Sequence, residues 1–85
     1  MIRKVGEVFR VKVKEKITLV KREGDELGPY ILEPGEYEFK KIKLPNGIVR
    51  IVLVHKQEIF LSEDLFRFYY HPNHGRLGTQ IDILF

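Results

Sequence analysis

The segment Phe66-Arg67-Phe68-Tyr69-Tyr70-His71, with Arg76 close behind, gathers guanidinium, phenol and imidazole groups within a short stretch. Aromatic faces stack on unpaired bases, and arginine pairs with phosphates or base edges, so this mixture suits single-stranded nucleic acid. Read as an extended strand, the run turns Phe66, Phe68 and Tyr70 inward and Arg67, Tyr69 and His71 outward. The competing reading packs Tyr69 and His71 against a neighbouring subunit or the closing strand, since tyrosine is enriched at interfaces.

A second group is the ladder Arg10, Lys12 and Lys14, which alternates with Phe9, Val11 and Val13. Three bases on one strand face can track a phosphate backbone. Lys40, Lys41, Lys43 and Arg50 would extend the ladder, while Glu36 and Glu38 are at hand to neutralise it. A solvated strand face has the same pattern, and lysine there also guards against edge-to-edge aggregation.

Metal and catalytic chemistry have thinner support. His71 and His74, with His55 or Asp82, offer ligand types that suit zinc, but two histidines in a turn do not make a tetrahedral site. No metal and no cofactor are expected. Ser62 is the single serine and sits in a helix-cap context, and the chain has no cysteine. Gly24 to Gly28 lacks the lysine and the strand–helix setting of a phosphate loop. What remains is a metal-independent ribonuclease: a histidine (His55, His71 or His74), a phosphate-binding Arg67 or Arg76, and Glu58 or a tyrosine.

The elements that must position these groups are short. Val8 to Val13 alternates with period two, the mark of a half-buried strand. Ile17 and Leu19 continue on the same parity, Arg22 to Pro29 reads as a loop, and Tyr30-Ile31-Leu32 as a short strand. The parity change between Tyr37/Phe39 and Ile42/Leu44 predicts a β-bulge near Lys40-Lys41. Asn46-Gly47 predicts a type I′ hairpin turn. Ile48 to Val54 reads as a central strand covered on both faces. Ser62 to Phe66 reads as a single capped helical turn, and Thr79 to Phe85 as a closing strand with Ile81, Ile83 and Phe85 aligned.

The 85 residues contain no alanine, and the polar residues are dominated by lysine and glutamate. Such usage is typical of thermophilic proteins. Charge falls in blocks: residues 1–22 carry eight bases and two acids, and 23–38 six acids and no base. Residues 39–56 carry five bases and no acid, and 57–85 two bases and four acids, for a net +3. Either neighbouring strands pair opposite blocks, or the basic blocks merge into one face for a polyanion.

The expected fold is all-β: residues 1–85 as a single small SH3-like barrel of about six strands with one short helical turn. An OB-like or other open small barrel is the alternative. The expected function is a non-catalytic, nucleic-acid-binding or nucleoprotein-associated module. Its contacts to DNA or RNA would come from Arg10, Lys12, Lys14, Arg67, Tyr69, His71 and Arg76. The rival is a protein-interaction or homo-oligomeric assembly subunit, favoured by the apolar end Ile81-Asp82-Ile83-Leu84-Phe85, and the ribonuclease is third. The absence of cysteine fits a reducing cytoplasm, and no stretch approaches the ~18 apolar residues that span a bilayer, so the expectation is a cytoplasmic protein with no membrane partner.

Overall fold

A computed structural model describes residues 4–70 and 80–84. Seven strands and one helix follow in the order β1 (Val8–Val13), β2 (Ile17–Glu23), β3 (Glu26–Leu32), β4 (Gly35–Lys43), β5 (Val49–Leu53), β6 (Lys56–Ser62), α1 (Glu63–Tyr70) and β7 (Ile81–Leu84). The strands form one open antiparallel sheet in the order β3-β2-β6-β5-β4-β1-β7.

Two short links force this sheet to curl. β3 and β4 stand four places apart in the strand order, which in a flat sheet is about 19 Å at the usual strand spacing. The step from Leu32 to Gly35 reaches only about 11 Å fully extended. β1 and β2 are also four places apart and joined by Lys14 to Lys16 alone. Curling brings the inward faces together, and a single core follows. Phe9, Val11 and Val13 of β1 meet Ile17 and Leu19 of β2, Phe39 of β4, Ile51 of β5 and Ile59 and Leu61 of β6. Three phenylalanines mark its centre: Phe9, Phe39 and Phe66 have ring centroids 5.7–6.4 Å apart.

The alternation in β1 and the buried β5 are as the sequence indicates, with Ile51, Val52 and Leu53 all buried. Four local expectations are corrected. The stretch read as a loop, Arg22 to Pro29, is mostly a β2–β3 hairpin closed by Gly24-Asp25, with Gly24 at φ +62°. A glycine at the first of two central positions suits the twist of a tight hairpin. The β4–β5 register runs unbroken from Phe39 to Lys43, and the irregularity lies at Val52/Leu53 instead. Ile42 therefore stays on the outer face, opposite Arg50.

The Asn46-Gly47 hairpin is present, but only Gly47 has positive φ, at +89°. The Gly47 N–H donates to the Leu44 carbonyl and the Leu44 N–H to the Ile48 carbonyl, both at 2.8 Å. This is a three-residue hairpin with glycine in the left-handed position, the commonest alternative to type I′. The Asn46 side-chain oxygen accepts from the Ile48 N–H at 3.1 Å.

The fourth correction concerns Phe66 to Tyr70, which is helix, not strand. The Ser62 hydroxyl accepts from the Leu65 N–H at 3.1 Å, and Glu63 and Asp64 occupy the first turn, where the helix dipole favours acids. Once so capped, the helix gathers Leu65, Phe66, Tyr69 and Tyr70 on one stripe against the core. Lys41 of β4 fastens its start through Glu63 at 2.9 Å.

The free edge of β3 is blunted. Glu23 and Glu26 flank a two-residue turn and so form a hydrogen-bonded pair, after which the pairs alternate. Leu27, Pro29 and Ile31 thus turn their backbone polar groups toward the open edge, and Pro29 has no N–H to offer there. At the other end of the sheet Ile81 and Ile83 are buried against β1. The apolar C-terminal run is therefore covered within this chain at those positions. Thr79 and Phe85 lie outside the described residues. Among the described residues no helix is long and apolar enough to cross a membrane.

Candidate functional site

The curl leaves a cleft of about 590 Å³ between β3 and the β4–β5–β6 side of the sheet. Leu32 and Leu53 supply its apolar floor, and Tyr30 and Tyr37, both half-buried, its aromatic walls. The rim is polar: Arg10 from β1, Glu36 and Glu38 from β4, the His55 imidazole from the turn before β6, and Lys56 at the start of β6.

Each group is placed by its local structure. Tyr30 shares the inward parity of Leu32 on β3, and Tyr37 that of Phe39 on β4. The Tyr37 hydroxyl donates to the Glu33 carbonyl at 2.7 Å, tying β4 back to the link that closes the curl. Burial pushes the Tyr37 phenol above its ordinary range, with Tyr30 and then Glu33 adding to the shift. The ring therefore stays a neutral hydroxyl donor. The Val54 N–H donates to the Glu38 carbonyl at 3.1 Å, which draws the β5–β6 turn onto β4.

Several rim groups contact one another. An Arg10 guanidinium nitrogen lies 2.5 Å from Glu36, and His55 Nε2 lies 3.6 Å from a Glu38 oxygen. Lys56 has no ion-pair partner among the described residues. A cleft of this size, with apolar floor, aromatic walls and a few polar groups at its mouth, is within the range of small-ligand sites. The arrangement can stack a planar group and contact a single anionic one.

The basic ladder of β1 is real as geometry, and it is faced by acids. Arg10 stands opposite Glu38 and Lys12 opposite Glu36 in the β1–β4 register. On the other side Lys12 stands opposite Asp82, and Lys14 Nζ lies 3.4 Å from that carboxylate. Blocks of opposite charge in the sequence thus become neighbouring strands, as cross-strand pairing predicts. Lys40 and Arg50 share the outer face, with the Arg50 guanidinium 4.1 Å from the centre of the Phe60 ring. Lys41 is turned the other way, to Glu63.

Arg67 and Tyr69 sit on α1 and do not line the cleft. Arg67 lies 3.8 Å from Asp64, one helical turn back. The Tyr69 hydroxyl is bonded to the Thr18 backbone, and its ring packs on the core. His71, His74 and Arg76 lie outside the described residues. Among the described residues no three metal-ligating side chains converge.

The structure therefore unites Arg10 with Tyr30, Tyr37, His55 and Lys56, a set the linear pattern conceals. Tyr30 and Tyr37 have the alternation of core residues, and only the curl turns them into walls. Comparison with known protein families, with curated proteins and with solved structures finds no match to this chain.

Proposed function

We propose that the protein is a non-catalytic binding module for single-stranded nucleic acid, engaged at the cleft rather than along the β1 ladder. The curled sheet serves as the platform, in the manner of a small SH3-like barrel. The observation that carries this reading is the joining of two tyrosines with Arg10, His55 and Lys56 around one cleft. Stacking on an aromatic side chain contributes about 1–3 kcal/mol per base and tolerates any sequence. A net charge of +3 supplies weak long-range attraction. Only an unpaired base can enter, so a duplex is excluded from the aromatic contact.

The test is a titration of the protein into fluorescently labelled single-stranded RNA, single-stranded DNA and duplex DNA at physiological salt, read by anisotropy. Single strands should bind more tightly than duplex, and Tyr30→Ala should remove most of that preference. Equal binding of all three, or binding that disappears at physiological salt, would contradict the proposal.

One observation favours a second reading, a protein-interaction module. Leu27 and Ile31 are more than half exposed on the same face of β3. With Pro29 between them, a partner would meet this strand through side chains more than through backbone pairing. Light scattering that shows a stable assembly, together with silent nucleic-acid titrations, would establish it.

A further inference from the structure

We infer that the cleft holds its ligand through one phosphodiester, at Lys56, while Glu36 keeps Arg10 from acting as a second phosphate contact. The inference rests on the proposed nucleic-acid reading and specifies how that site would recognise its ligand.

The argument is a count of charges around the cleft. Arg10 has Glu36 at 2.5 Å. A phosphate approaching that guanidinium also meets the carboxylate, and the two act on it with opposite sign at nearly the same distance. His55 Nε2 lies 3.6 Å from Glu38, so an anion that approaches this imidazole also meets a carboxylate. Lys56 is the cation of the rim without an ion pair among the described residues, and it stands at the start of β6 beside the same cleft. Beyond the rim, Lys12 and Lys14 face Glu36 and Asp82, so no continuous track of uncompensated charge leads away along β1.

Two consequences distinguish such a site from a polyanion groove. Affinity depends little on ligand length, because one nucleotide is seated at Lys56 and the β1 cations beyond it stand opposite acids. Salt dependence is shallow, because one phosphate is neutralised: about −0.7 in the slope of log K against log salt for a single strand. A track of several phosphates gives a proportionally steeper line.

The experiment measures this slope for a labelled trinucleotide and a labelled twelve-residue single strand with the wild-type protein, Lys56→Ala, Glu36→Gln and Lys12→Ala. Circular dichroism checks that each variant is folded, and the three substituted side chains are exposed. The expected result is a slope near −0.7 for both lengths, lost in Lys56→Ala and unchanged in Lys12→Ala. In Glu36→Gln it should roughly double, with tighter binding, as Arg10 becomes a second contact. A wild-type slope steeper than about −2, or a slope that survives Lys56→Ala, overturns the single-phosphate inference and leaves cleft binding standing. Absence of binding to either strand overturns both.

Discussion

The Tyr69 hydroxyl donates to the Thr18 carbonyl and accepts from the Thr18 N–H, both at 3.2 Å. One side chain thereby joins the only helix among the described elements to β2, a strand paired with β3 along its whole length but with β6 only at Val20 and Lys21. Thr18 finds through Tyr69 the partner that β6 does not give it there. The phenol acts as a clasp across the curl.

Tyr69→Phe should therefore lower stability while leaving the cleft intact. Two hydrogen bonds of ordinary strength are lost, for a cost of about 1–2 kcal/mol. The expected outcome is a lower urea midpoint with affinity for single strands changed less than twofold. A marked loss of affinity with unchanged stability would place Tyr69 in the binding surface instead.

Phe66 carries the attachment of α1 to the core. It is essentially fully buried and packs edge-on against Phe9 and Phe39. Phe66→Ala should cost about 3–5 kcal/mol, a large share of the stability of a domain this small. Phe66→Leu should cost about 1–1.5 kcal/mol, because it keeps most of the volume. Denaturant melts of the pair measure the difference, and equal small losses would show that α1 is not fastened through this ring.

Pro29 guards the open edge of β3. Pro29→Thr restores an N–H that points out of the sheet, and with Leu27 and Ile31 exposed beside it the strand becomes a template for pairing. Light scattering against concentration should show self-association in the variant beyond that of the wild type. Identical mass curves would mean that the edge is protected by something other than the proline.

The raised Tyr37 phenol links stability to alkaline pH. Burial favours the neutral form in the folded protein, while the unfolded chain ionises at the ordinary value of 10.0. Its contribution is complete below that value and falls as pH rises through the higher folded-state value. Tyr37→Phe loses the bond to Glu33 wherever the phenol is protonated, and should show a flatter decline above pH 10.0. Parallel declines for the two proteins would contradict the assignment.

What the sequence reveals and what it conceals divide along physical lines. The strand Val8–Val13 and the buried Ile51-Val52-Leu53 are legible because period two and continuous β-branched runs report burial directly. The opposed charge blocks foreshadow the Arg10/Glu38 and Lys12/Glu36 pairs. Phe66 to Tyr70 misleads because a five-residue stretch with four aromatics fits either period, and the decision rests on the Ser62 cap and on Phe9 and Phe39, distant in sequence. β3 is concealed by Gly28 and Pro29, which read as a loop although an edge strand tolerates both. The cleft is the least legible feature, since it is created by two short links that curl a sheet whose order no local pattern reveals.

The most direct measurement is an amide NMR titration of the ¹⁵N-labelled protein with a short single-stranded oligonucleotide at physiological salt. Perturbations centred on Tyr30, Tyr37, His55 and Lys56, with Lys12, Lys14 and Arg67 nearly silent, are the predicted result. Perturbations that follow β1 and α1 and spare those four residues would contradict the account.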